Sequence, residues 1–171
     1  MIDNTDTITG TRTNSSGTTV DANNVANNAV NITIRFAESA DLNACLSFDN
    51  TGSIDTLESA IINHDVIVAQ RLGEIVGYVR LQYIWSKIPF ISLILIKTEF
   101  RGRGIGASML NYLVEFLGMN GFKVLLSSSQ VNEEGPQHWH HKMGFTEAGI
   151  LCGINEHGIG EVFYKLDCSK E

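Results

Sequence analysis

The texture of apolar and polar positions changes at about residue 31. Met1 to Asn31 are mostly Thr, Asn, Ser, Asp and Gly with scattered Val and Ile, and they carry no aromatic residue. Neither a helical nor a strand period runs through them, so they offer too little apolar surface to offset the entropy of ordering. We therefore expect a disordered polar tail over residues 1–31 and a folded domain over residues 32–171.

Within the domain, Ile-Thr-Ile-Arg-Phe at Ile32 to Phe36 alternates like a half-buried strand. Ser39 or Asp41 can then cap a helix over Leu42, Cys45, Leu46 and Phe48. A second helix is expected near Ile54 to Ile62. Asp65 to Gln70 and Ile75 to Ile84 read as antiparallel strands joined by a tight turn at Arg71-Leu72-Gly73-Glu74. Trp85 to Pro89 interrupts, and Phe90 to Lys97 is nearly continuous apolar sequence, as in a central strand covered on both faces. After a glycine-rich turn, Ala107, Leu110, Leu113, Val114 and Leu117 recur at helical spacing up to Gly118 or Gly121. Lys123 to Ser127 is a short strand, Pro136 to Met143 a short helix with proline in its first turn, and Gly160 to Leu166 a closing strand. Antiparallel hairpins followed by strand, helix and strand predict an α/β fold with a mixed sheet.

Composition narrows the function. The 171 residues are 43% apolar and 18% charged, with net charge −7, which argues against a broad basic face for nucleic acid and leaves cationic or small neutral partners. The tail holds −2 of that charge and the domain −5. The longest apolar stretch, Ile88 to Ile96, is far short of the ~18 residues a membrane helix needs. The start of the chain has no basic region followed by an apolar core, and Cys45, Cys152 and Cys168 form no CxxC pair. We expect free thiols in a reducing cytoplasm and no membrane or nucleic-acid partner. Nothing in the sequence speaks to oligomeric state.

Arg101-Gly102-Arg103-Gly104-Ile105-Gly106 lies between the most apolar strand and an amphipathic helix. There, successive amides and the positive helix end can cradle a phosphate, and glycine lets the backbone approach it. A bare strand-to-helix turn with two solvated arginines is the alternative. No Lys-Ser or Lys-Thr follows the glycines, as a Walker loop requires. Met109 stands where a dinucleotide fingerprint wants Gly or Ala, and Ser127-Ser128-Ser129 where it wants an acid.

Arg101, Gly104 and Gly106 instead match the spacing Q/R-x-x-G-x-G/A, and the chain resembles the GNAT superfamily of N-acetyltransferases. Phe100 to Gly106 is similar to that family's aromatic-R-G-x-G-I-G wording. Asn132 followed by His140-His141-Lys142-Met143-Gly144-Phe145 resembles its second block, an Asn and then Tyr-x-Lys-Leu-Gly-Phe. The opening Ile-Thr-Ile-Arg-Phe-Ala with Asp41 resembles its first strand and helix start. The likeness covers about residues 32 to 167. It implies a three-layer α/β fold with a mixed, mostly antiparallel, splayed sheet flanked by helices, and acetyl-CoA as co-substrate. By the same resemblance, Ile94, Leu95 and Ile96 would pair with the pantetheine arm. The pyrophosphate would rest on Gly102, Arg103, Gly104, Ile105, Gly106 and Ala107 under Arg101 or Arg103, and Asn132 would contact CoA.

The implied reaction is direct attack of a neutral primary amine on the thioester, whose carbonyl is polarised by a backbone amide near Leu95. The acceptor could be a peptide amine, a polyamine, an aminoglycoside or another small amine, with the acidic net charge favouring a cation. Two departures stand out. Many members carry Glu or Asp on the central strand, where this chain reads Ile91-Ser92-Leu93, so no base is named. The family's acid, a Tyr five residues before the Phe of Gly-Phe, is replaced by His140, which can serve as general acid or as a packing or substrate-contact residue. Ser127, Ser128 and Ser129 could hold the acceptor or the thiol, or satisfy a strand end. Trp85, Phe90 and Trp139 could wall an acceptor pocket. His138, His141 and Cys152 complete no metal-ligand set. A non-catalytic acyl-CoA-binding module of the same fold is the alternative function.

Overall fold

The computed structural model describes residues 31–49 and 53–169, so the expected tail, apart from Asn31, lies outside the described residues. The chain forms β1 (Ile32–Phe36), α1 (Leu42–Leu46), α2 (Ile54–Ile62), β2 (Val66–Arg71), β3 (Glu74–Ile84) and β4 (Ile88–Ile96). Then follow α3 (Ile105–Met119), β5 (Val124–Gln130), α4 (Glu134–Lys142), β6 (Thr146–Leu151) and β7 (Glu161–Asp167). The strands make a seven-stranded sheet in the order β1-β2-β3-β4-β5-β7-β6. Every neighbouring pair is antiparallel except β4 with β5. This is the mixed, mostly antiparallel sheet flanked by helices that the sequence implied. Among the described residues no helix is long and apolar enough to cross a membrane.

Each face of the sheet has its own core. On one, Cys45 of α1 and Leu57 and Ile61 of α2 pack against Val66, Val68, Ile75 and Tyr78. On the other, Met109, Leu110, Leu113 and Leu117 of α3 pack against Ile67, Ala69, Val76 and Val79. Strand β4 explains its own apolar run, because alternate residues serve alternate faces: Ile94 and Ile96 join the α3 side, and Leu93 and Leu95 the α1 side.

The seam between β4 and β5 is the feature that matters for function. The two strands pair only at Phe90 with Leu126 and Ile91 with Ser127. The next residue, Ser92, is an extra residue on β4, since Arg80 faces Leu93 while Leu81 faces Ile91 across the β3 register. A bulge bends and twists its strand, and here it falls where β4 leaves β5. Ser92 closes the bulge by donating its hydroxyl to the Arg80 carbonyl at 3.1 Å and accepting from Arg80 Nε at 3.3 Å.

Three elements differ from the pattern reading. The first helix stops at Leu46, leaving Phe48 beyond it, because a turn of 3-10 helix at Ser39–Asp41 opens the segment. In that turn Asp41 does not cap as the first residue; it accepts from the Glu38 amide at 2.8 Å and pairs with both terminal nitrogens of Arg35 at 2.6 and 2.9 Å. Strand β4 starts at Ile88 and includes Pro89, which faces Tyr83. At the first rungs of a strand, proline's missing N–H is tolerated. Strand β6, for which the sequence pattern offers no element, is an edge strand whose six residues are all exposed, so it has no alternation to read.

Candidate functional site

Helix α3 opens on Gly104, whose φ of +80° is a left-handed conformation that glycine adopts without strain; Gly102 has φ +72°. The first bond of the helix runs from the Ser108 amide to the Gly104 carbonyl at 3.0 Å. The amides of Ile105, Gly106 and Ala107 therefore belong to the first turn, which has no acceptor inside the helix, and no side chain caps it. Anions are favoured there by these donors and by the helix dipole. Arg101 and Arg103 flank the turn and are exposed. Arg101 Nε donates to the Ile96 carbonyl at 3.0 Å, and the Arg103 guanidinium lies 5.5 Å from the Phe100 ring centre. Gly106 is buried, and a Cβ there would stand 3.3 Å from Ile96 Cδ1 and 3.4 Å from Trp139 Nε1. The start of α3 thus packs directly on the end of β4.

Beside this turn the sheet is parted. Ile94, Leu95 and Ile96 are half-buried and have no β5 partner. Across the gap, Ser129 Oγ on β5 is buried without a hydrogen-bond partner among the described residues. Asn132 is exposed in the turn that follows β5. That turn is held by the Gln137 side-chain amide, which donates to the carbonyls of Gln130 and Val131 at 3.1 and 2.9 Å. On the α1 side, a cleft of about 330 Å3 is lined by Ser47, Phe48, Leu95, Ile96, Lys97, Thr98, Glu99 and Arg101. The structure thereby brings Ile94 to Ile96, the glycine turn and its arginines together at one end of the parted seam.

His140 lies on the buried side of α4, 3% exposed, and not at an open surface. Its ring stacks on Tyr164 of β7 with centres 4.3 Å apart and planes 4° from parallel. Trp139 and Phe145 meet it edge-on. Nδ1 is 2.8 Å from the Pro136 carbonyl, which only accepts, so Nδ1 carries the proton. Nε2 is then the acceptor for the Ser127 hydroxyl, 2.8 Å away. Burial favours the neutral ring and pushes the pKa below the ordinary histidine value, with the Pro136 carbonyl pulling the other way. Neighbouring His141 adds to the lowering and Glu161 opposes it. The fold explains this placement: α4 ends at Lys142, and at Gly144 (φ +85°) the chain turns back so that the Phe145 amide bonds the His140 carbonyl at 3.0 Å.

A second polar group lies on the α1 face. The Tyr78 hydroxyl donates to buried Asp49, and the phenol is pushed far above its ordinary pKa, first by burial and then by that bond. Neither this pair nor the Ser92 bulge was singled out from the sequence; no short motif marks either one, since each is made by residues distant in the chain. Of the three aromatics considered for a pocket wall, Trp139 stands against the start of α3, and Phe90 lies in the paired part of the seam, opposite Leu126 and packed on Phe163. Trp85 is 81% exposed at the tip of the β3–β4 hairpin. Among the described residues, no group of three or more His, Cys, Asp or Glu comes together.

Parted strands that open beside an anion-binding helix start suit a long ligand bearing phosphate at one end and amide groups that can pair with strand backbone. Buried Ser129 Oγ and the partnerless edge of β4 are the polar groups such a ligand would satisfy. The sequence profile of the Acetyltransferase (GNAT) family matches residues 37–145. The chain belongs to that family.

Particular relatives bear this out in fold. A stretch of 87 residues is 26% identical to an uncharacterized N-acetyltransferase of Methanocaldococcus jannaschii, covering 47% of this chain and 38% of that protein. The chain thus spans well under half the length of this curated relative. An N-acetyltransferase from Staphylococcus aureus Mu50 superposes with a TM-score of 0.70 at 24% identity, over 81% of this chain and 99% of the other. A Salmonella typhimurium protein solved with its cofactor acetyl-CoA superposes at 0.67 and 20% identity, over 82% and 96%.

Proposed function

We propose that the protein is an N-acetyltransferase that moves the acetyl group of acetyl-CoA to a primary amine by direct attack, with both substrates bound together. The observation that carries this reading is the parting of β4 from β5 after Ile91 and Ser127, beside the open first turn of α3. The pyrophosphate would lie on the amides from Gly102 to Ala107 with Arg101 and Arg103 over it, and Asn132 would meet CoA at the far wall. Ile94, Leu95 and Ile96 would present backbone to the pantetheine arm, and an amide near Leu95 would polarise the thioester carbonyl. The cleft beside Phe48 and Leu95 opens onto this strand from the α1 side. Holding both reactants in one geometry supplies much of the rate by replacing a bimolecular encounter with an intramolecular one. Cys45 and Cys168 are buried thiols whose burial raises their pKa to about 12 and about 11, which keeps them protonated and unreactive.

The test is thermal unfolding with saturating acetyl-CoA, CoA, ATP and NADH in parallel, followed by a broad amine panel read by release of CoA thiol. A ligand at 100 times its dissociation constant adds about 2.7 kcal/mol, several degrees for a domain of this size. Stabilisation by acetyl-CoA and CoA alone, with thiol release on at least one amine, is the expected result. Stabilisation without release from any amine would favour a non-catalytic acyl-CoA-binding module, the reading suggested by His140 at the family's Tyr position. No stabilisation by either CoA compound would overturn both.

A further inference from the structure

Resting on the acetyl-transfer reading above, we propose that Ser127 and His140 form a proton shuttle that takes the proton from the attacking amine and delivers it to the departing sulfur. The seam and α4 together point to this. Ser127 is the last β5 residue paired with β4, so it sits at the vertex from which the two strands part. Its hydroxyl is aimed at Nε2 of His140, whose other nitrogen is fixed as a donor by the Pro136 carbonyl. Tyr164, Trp139 and Phe145 pack the ring and both of its nitrogens are hydrogen-bonded, which holds Nε2 toward Ser127. At rest the pair is therefore loaded to accept a proton through the serine oxygen.

The chemistry balances without a further base. As the amine nitrogen bonds the acetyl carbon, its surplus proton passes to Ser127 Oγ while the serine proton passes to His140 Nε2. As the carbon–sulfur bond breaks and its electron pair leaves with sulfur, the same path runs backward: Nε2 returns a proton to Oγ, and the serine proton goes to sulfur. The products are the N-acetyl amine and CoA thiol, and the pair is back in its resting form. Two departures from the family pattern are thereby explained at once: no carboxylate is needed on β4, and the imidazole stands where a phenol is usual. Burial supports the cycle by keeping the resting ring neutral and the protonated ring a ready donor. The titratable groups facing the ring are His141 on its own helix and Glu161 and Tyr164 on β7. Ser127 is the catalytic residue of the pair, and His140 holds the proton behind it.

The experiment combines turnover with a signal that does not depend on turnover. Ser127→Ala and His140→Gln are each expected to lower kcat by on the order of 100-fold, with acetyl-CoA affinity within about twofold of the parent. Gln keeps an acceptor for the serine hydroxyl but cannot take a proton, so a full-rate His140→Gln enzyme would make the histidine a strut and overturn the proposal. Separately, the imidazole 15N signal of Nε2 is followed in the folded protein with CoA and with desulfo-CoA, which lacks only the sulfur. CoA should move the signal and desulfo-CoA should leave it near its free position, with the difference abolished in Ser127→Ala. Equal responses to the two ligands would place the sulfur elsewhere and overturn the shuttle. A parent enzyme that acetylates an amine while Ser127→Ala keeps its rate would remove the shuttle and leave the acetyltransferase reading standing. A parent with neither acetyl-CoA binding nor thiol release would remove both.

Discussion

Strand β5 has two edges that could hardly be less alike. Toward β7 it is paired along its whole length, from Val124 with Asp167 to Gln130 with Glu161. Toward β4 it is paired at Leu126 and Ser127 and nowhere else. The closed edge gives rigidity: Tyr164, fully buried on β7, faces Ser127 across it and provides the plate on which His140 stacks. The open edge gives access: beyond Ile91, β4 has no β5 partner, and among the described residues the buried Ser129 hydroxyl of β5 has no hydrogen-bond partner. One strand thus anchors the site on one side and leaves room for a ligand on the other, and Ser127 belongs to both seams.

The contrast can be broken most forcefully from the closed side. Tyr164→Ala should cost about 3–5 kcal/mol by removing a buried aromatic from the seam, measured by urea unfolding. Tyr164→Phe should be close to neutral, because its hydroxyl is buried without a hydrogen-bond partner among the described residues. On the open side, changing Arg101 and Arg103 together to Ala should leave stability nearly intact. It should weaken acetyl-CoA binding by about 2–4 kcal/mol in calorimetry, the loss of two charge-assisted bonds. Equal affinity would show that the glycine turn is not the phosphate site.

Smaller effects sharpen the picture. Gly104→Ala places a Cβ on a residue with φ +80° and should destabilise by about 1–2 kcal/mol. The same change should also loosen acetyl-CoA binding if the turn relaxes. The least effect is expected from pH. His140 has a lower pKa folded than unfolded, so between the two values the unfolded chain binds the extra proton. Stability contributed by the buried neutral ring is full above the unfolded value of about 6.5 and falls as pH drops through it. Unfolding at pH 7.5 and 5.5 should show a smaller loss for His140→Gln than for the parent; equal losses would mean that the ring does not titrate as burial dictates.

Local patterns made much of this fold legible. Helix α3 was readable because its apolar positions repeat at helical spacing, and it ends at Met119, with Asn120 as its cap and Gly121 at φ +82° after it. The β2–β3 turn was readable as well, with Leu72 and Gly73 both at positive φ. The end of the first helix and strand β6 were not. A five-residue helix opened by a 3-10 turn carries too short a period to bound, and an exposed edge strand has no buried face to write an alternation.

The glycine turn illustrates what sequence alone determined at the site. Backbone conformation and helix polarity are local properties, so Arg101 to Gly106 marked the glycine-rich start of a helix, with its first-turn amides left open. The same holds for the apolar run of β4, broken only by Ser92, whose length and composition required cover on both faces. Only the tertiary structure decided the rest. The parting of β4 from β5 coincides with a bulge at Ser92 that only its register against β3 defines. The state of His140 depends on Pro136 from its own helix, Ser127 from one strand and Tyr164 from another. A proton's position is set by the partners and the burial around a ring, and those come from segments the chain brings together only when it folds.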